Sequence, residues 1–173
     1  MITIYSVIGN INKDANLKKK YNEMSDNKVC EIIKISRLES QRVRMRKSSN
    51  KGTDIALILP QGTRLRHGDV IMATREKMVI IEIEPENVVR IEIKNNIAAN
   101  HEGNIEIPVR VGHTIGNLHR PLKLEGNKIY FPIQDDSELE MFRKLFAPIA
   151  NHLEIDNRKM VFEPEEGMEI HEH

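Results

Sequence analysis

Leu122-Lys123-Leu124-Glu125-Gly126-Asn127-Lys128-Ile129-Tyr130-Phe131-Pro132-Ile133 reads as two short strands, Leu122–Leu124 and Lys128–Ile133, folded back on each other. Glu125-Gly126-Asn127 between them has the composition of a tight turn. A helical pattern precedes this hairpin over about Ile105–Gly116, where Ile105, Val109 and Gly112 fall at i, i+4 and i+7. Pro108 suits the first turn of such a helix. Gly116-Asn117 offers the residues best able to turn left-handed at its end, and Pro121 forbids it to resume. A second helix follows over Ser137–Ala147, opened by Ser137 and Glu140 as a capping box, with an apolar stripe at Leu139, Phe142, Phe146 and Ile149. Strands at Val88–Ile93 and Lys159–Glu163 flank the whole. The order β-α-β-β-α-β is the ferredoxin-like pattern, which gives a fold and leaves function open.

The chain has 173 residues, enough for one ordinary domain or two small ones. Aromatic residues make up 4% and tryptophan is absent, so Ile, Val, Leu and Met must build the interior, which favours two modest cores. Net charge is zero but unevenly spread: residues 1–84 hold 16 Lys and Arg against 10 Asp and Glu, and residues 85–173 the reverse. Such asymmetry predicts two domains with different partners. Pro85 is the best boundary, dividing residues 1–85 from a domain at 86–163 and a histidine-bearing tail at 164–173.

Residues 1–85 read as a small all-β unit. Strands are expected over 1–9, Val29–Ile35, Gln41–Lys47 and Ile55–Leu59, with a hairpin of Val70–Thr74 and Met78–Glu84 around Arg75-Glu76-Lys77. Residues 10–27, polar and rich in Asn and Lys, read as a long loop with helical turns at most. The fold class is therefore α+β, an all-β domain followed by a ferredoxin-like one. Cys30 is the only cysteine, which excludes an internal disulfide and a Cys-based zinc site within one chain. No basic, apolar leader opens the chain, and the longest apolar run, Ile55–Leu59, is too short to span a bilayer. A soluble, cytoplasmic protein is expected.

Nothing in the sequence looks catalytic: there is no phosphate loop, nucleophile elbow or His-Glu-x-x-His helix. Six of the seven histidines lie beyond residue 100, in the acidic half. His119, just past the first helix of the second domain, is a nitrogen donor suited to a late first-row metal, or an imidazolium suited to the helix dipole. His171 and His173 form a His-x-His in the tail, as ligands or as part of a solvated end. One imidazole cannot hold such a metal tightly, but a two-fold dimer would bring two copies of His119 together. His113, His101, His152 and His67 lack partner spacing. The basic strand Arg42, Arg44, Arg46 and Lys47 is a charged edge, or a surface for an acidic partner or nucleic acid. It lacks the interleaved aromatics that stack RNA bases.

The run Ile115-Gly116-Asn117-Leu118-His119-Arg120-Pro121 resembles the "G-N-R-H-x-P" signature of the UreE family of urease accessory nickel metallochaperones. The stretches Arg42–Arg46, Lys51–Asp54, Leu59–Leu65, Gly68–Val70 and Phe162–Gly167 are similar to that family as well. The resemblance implies a peptide-binding N-terminal domain and a homodimer that binds Ni(II) through the matching His119 of each protomer, helped by His171 and His173. Zn(II) or Cu(II) would substitute only in vitro. It further implies nickel delivery to the urease apoprotein–accessory complex together with the GTPase UreG, without enzyme activity and with no nucleic-acid or membrane partner. Leu118 departs from the signature's Arg, and Tyr130-Phe131-Pro132 stands where some members carry further histidines. The competing reading is a peptide- or RNA-binding module that takes up metal incidentally.

Overall fold

The computed structural model describes residues 1–26, 29–94 and 103–164. Their contacts divide the chain into two compact units, Met1–Glu84 and Pro85–His173.

The first unit contains two sheets. β1 (Ile2–Ile4), β5 (Asp54–Ile58) and β4 (Arg44–Ser48) form one, in the order β1-β5-β4. β2 (Gly9–Asn10), β6 (Asp69–Ala73), β7 (Met78–Ile83) and β3 (Cys30–Ile35) form the other, in the order β2-β6-β7-β3. On β4, Arg44 and Arg46 face solvent while Met45 turns inward, as strand alternation predicts. Asn50 stands in for a strand along the outer edge of β3. Its amide donates to the Ile32 carbonyl at 2.8 Å, and its side-chain oxygen accepts from the Ile32 amide at 2.9 Å. Beside it, the Glu31 carboxylate accepts from Ser49 Oγ at 2.6 Å and pairs with Lys77 Nζ at 2.7 Å. Burial alone would raise the Glu31 carboxyl, but hydrogen bonds from Lys77, Ser49 and Thr53 outweigh it and hold the group below the usual carboxylate range.

This unit also holds a helix that the polar composition of residues 10–27 hides. α1 (Ala15–Asp26) starts where the Asp14 carboxylate accepts from the amides of Asn16 and Leu17. Its thin apolar stripe, Leu17, Tyr21 and Met24, lies at i, i+4 and i+7 against Val70, Met78 and Ile80. The loop expected there is corrected to a helix held by tertiary packing rather than by propensity.

The second unit runs β8 (Glu86–Ile93), α2 (Gly103–Asn117), β9 (Lys123–Glu125), β10 (Lys128–Pro132), α3 (Asp136–Leu145), a 3-10 turn (Ala147–His152) and β11 (Leu153–Met160). The sheet order is β11-β8-β10-β9 with every neighbouring pair antiparallel, which is the ferredoxin-like βαββαβ arrangement. β9 and β10 meet at a turn in which Gly126 takes φ 61°, as the hairpin sequence implies.

Three details differ from expectation. The cap of α3 is Asp135, whose side chain accepts from the Ser137 and Glu138 amides, in place of the Ser137–Glu140 box. Pro108 lies inside α2 rather than in its first turn. The last strand is Leu153–Met160 instead of Lys159–Glu163. Alternation holds there only over Leu153–Asp156, with Leu153 and Ile155 on the core and Glu154 and Asp156 around Arg90 of β8, and exposed Asn157 and Lys159 end the pattern. Phe162, inside the segment expected as a strand, lies beyond β11 and packs on Val88 and Tyr130.

Val89, Ile91, Ile129 and Phe131 on one face of this sheet pack under both helices, where Phe142 contributes the central ring. Its ring centre lies 4.5 Å from that of Phe131 and 6.2 Å from that of Phe146. Phe142 is fully buried. Phe142→Ala should therefore lower the unfolding free energy by about 3–5 kcal/mol, measured by urea denaturation followed by circular dichroism. A cost near that of a surface change would contradict this packing.

Candidate metal centre

The buried face of α2 is Ile107, Val111 and Ile115, at i, i+4 and i+8. This corrects the face read from Ile105, Val109 and Gly112. Ile105 and Val109 are 69% and 61% exposed, and a Cβ at Gly112 or Gly116 would meet nothing within 4 Å. Two apolar stripes share one helix, and periodicity alone could not say which one meets the sheet. The outward stripe leads along the helix towards its C-terminal end, where His119 lies.

That end is a Schellman motif. The Arg120 amide reaches back to the Ile115 carbonyl at 3.5 Å, and the His119 amide to the Gly116 carbonyl at 3.0 Å. The position between helix and departing chain must be left-handed, and His119 fills it at φ 51°. Gly116 and Asn117, expected to make this turn, remain helical. Among the described residues His119 is the only non-glycine with positive φ. Its Cβ makes that conformation costly, and backbone strain of this kind gathers at functional positions. The His119 side chain is exposed. The helix C-terminus beside it carries a partial negative charge, which favours a cation there.

The other candidates are placed differently. His113, exposed on α2, has Nε2 3.0 Å from Asn117 Nδ2. His67 Nδ1 accepts from the Ile83 amide at 3.2 Å, a structural bond within the first unit. His152 ends the 3-10 turn and is exposed. His101, His171 and His173 lie outside the described residues. Among the described residues no three His, Cys, Asp or Glu side chains converge as a metal cage. Two of the four basic residues of the strand spend their charge locally. Arg46 grips Asp54 with two bonds of 2.8 Å, and Lys47 pairs with Glu39 at 2.6 Å. The Arg46 bond also holds the Asp54 carboxyl below its usual range.

The signal missed in the sequence was the left-handed residue itself, because glycine and asparagine stood nearby as better candidates. It yields a direct test. His119→Gly should leave the metal-free protein about 1 kcal/mol more stable than His119→Ala, since both lose the imidazole and only glycine releases the strain. Equal thermal unfolding of the two variants would contradict a left-handed residue 119.

Comparison with known proteins adds an independent line. Residues 4–84 match the family model for the UreE urease accessory protein N-terminal domain. The curated protein "Urease accessory protein UreE" of Yersinia pestis (strain Pestoides F) is 27% identical over 135 residues, covering 77% of this chain and 57% of the relative. The protein of the same name from Yersinia pseudotuberculosis (serotype O:1b, strain IP 31758) gives the same identity and coverage. The chain thus spans somewhat over half the length of these relatives. Because 77% of the chain exceeds the first unit's share, the likeness extends into the second unit. Among the described residues, no helix is long and apolar enough to cross a membrane.

Proposed function

We propose that this chain is a member of the UreE family of urease accessory proteins, whose N-terminal domain model residues 4–84 match, and that it serves urease maturation as a nickel-carrying chaperone without catalytic turnover. Nickel is its cargo. The observation that carries this reading is His119, an exposed imidazole fixed in a strained left-handed turn beyond the outward apolar stripe of α2. Ile105 and Val109 supply apolar area on that stripe, and Gly112 and Gly116 let a second backbone approach closely.

Two copies related by a two-fold axis would bury the stripe and place the two His119 side chains together, since an isologous interface repeats each residue on both sides. Nickel prefers four to six donors, so two imidazoles make an incomplete and exchangeable site. His171 and His173 are the further donors proposed. The partners proposed are the GTPase UreG and the urease apoprotein with its accessory proteins. Residues 1–84 would serve protein recognition rather than nucleic-acid binding, because the charges of Arg46 and Lys47 are engaged within the unit.

Nickel titration of the full chain should give a tight site that His119→Ala abolishes and His113→Ala largely retains, with sedimentation reporting a dimer. Equal losses in the two variants, or a monomer with and without nickel, would overturn the shared His119 site. Truncation after Glu169 should weaken nickel binding and leave the melting temperature of the metal-free protein unchanged. A truncated chain that binds nickel as the full chain does would remove His171 and His173 from the site.

A further inference from the structure

His119 does not hold its own conformation: a histidine relaxes out of the left-handed region unless its neighbours over-determine it. On its helix side the turn is tied by main-chain bonds, of which the Arg120 amide to the Ile115 carbonyl, at 3.5 Å, is the longest. A Schellman turn is ordinarily secured further by an apolar contact from the residue after the left-handed one. Here that residue is Arg120, and its fastening is ionic. Its Nη2 lies 2.5 Å from Glu138 Oε1 on α3, and both side chains are mostly shielded from solvent, at 23% and 19% exposure.

Glu138 is itself immobilised. Its other oxygen, Oε2, accepts from the Gln134 amide at 2.8 Å, and its own amide is capped by Asp135. Arg120 Nε is buried with no hydrogen-bond partner among the described residues. A half-shielded guanidinium with a buried, unsatisfied Nε is a poor choice for stability alone. It is a good choice for fixing one turn at one distance from one helix, because the planar fork limits the geometries available.

We propose that Arg120 and Glu138 form a clamp that positions His119, with Arg120 a positioning residue that sets nickel affinity without touching the metal. This inference rests on reading His119 as a nickel ligand. Without the clamp, the turn at residues 118–120 would open, the left-handed backbone would relax, and the imidazole would have to be re-ordered whenever metal binds. Re-ordering costs affinity, as a binding-competent state that is only fractionally populated must.

The test uses the full chain as wild type and as Arg120→Ala, Glu138→Gln, the charge swap Arg120→Glu with Glu138→Arg, and His119→Ala. Nickel affinity is measured by calorimetry, and amide hydrogen exchange at residues 118–120 is measured in the metal-free protein. Arg120→Ala and Glu138→Gln should each weaken nickel binding about tenfold and speed exchange at 118–120, while exchange in the core strand β10 stays slow. The charge swap should recover part of the affinity, which a loss of general stability would not. Glu138→Gln keeps the Gln134 bond available and so answers the question should Arg120→Ala fail to fold.

If His119→Ala abolishes nickel binding while Arg120→Ala and Glu138→Gln bind as wild type, the clamp is overturned and the ligand assignment stands. If His119→Ala binds nickel as wild type, the ligand assignment fails and the role as a metal-site clamp falls with it. In that case, unchanged exchange at 118–120 in the Arg120 and Glu138 variants would also dismiss the clamp as a turn-holding device.

Discussion

Helix α2 ends in a Schellman turn before the chain enters the sheet as β9, and that turn puts one residue in the left-handed region. That constraint falls on His119, the single non-glycine with positive φ among the described residues. Upstream of it, Ile107, Val111 and Ile115 commit the helix to the core; downstream, Pro121 prevents it from continuing. Between these limits the turn has little choice of place. The histidine is therefore presented by a junction whose position the core dictates, although the strain at the junction opposes stability. A glycine would serve the fold better, and its absence is the physical argument that position 119 answers to something other than folding.

The second unit was legible because its signals agree across levels. The central hairpin carries the turn chemistry it needs, one unambiguous stripe of Leu139, Phe142, Phe146 and Ile149 runs through α3, its cap and the 3-10 turn after it, and the element order admits few topologies. Legibility failed where two physical solutions share one pattern. α2 has apolar residues on two faces, and the sheet takes the face with the β-branched series Ile107, Val111 and Ile115. β11 keeps the inward apolar pattern only at Leu153 and Ile155, and the polar, exposed Asn157 and Lys159 that follow hide the rest of the strand. In the first unit, α1 is polar enough to pass for a loop, because Leu17, Tyr21 and Met24 are all the core requires of it.

The outer face of the second unit's sheet shows how a small core tolerates charge. Arg90 is 6% exposed, yet its guanidinium meets Glu92, Glu154 and Asp156 at 2.7 Å each. Burial works to raise the Asp156 carboxyl, and hydrogen bonds from Arg90 and Arg158 lower it further than burial lifts it. A satisfied network of this kind fixes strand register with charges, where the other face fixes it with Phe131 and Phe142. The contrast with Arg120 is instructive. Arg90 has a carboxylate in each direction its fork points, whereas among the described residues Arg120 pairs with Glu138 and its buried Nε has no hydrogen-bond partner. The first arrangement is what stability selects; the second fits a side chain placed to hold a particular turn.

Among the described residues no metal cage forms around His119, which bears on the kind of nickel site proposed for it. A cage completed within one chain would bind metal tightly and release it slowly, which suits a resident cofactor. The proposed site, which needs a second copy of the chain and further donors from His171 and His173, would divide its affinity among parts that can separate one at a time. Each donor lost weakens the hold on the ion without unfolding anything, and a recipient can replace the donors in sequence. In such a site the backbone that presents each His119 has to be rigid, because two imidazoles cannot also bear the cost of ordering themselves. Strain at residue 119 and a fixed turn behind it are thus two sides of one requirement: few ligands, each held in advance.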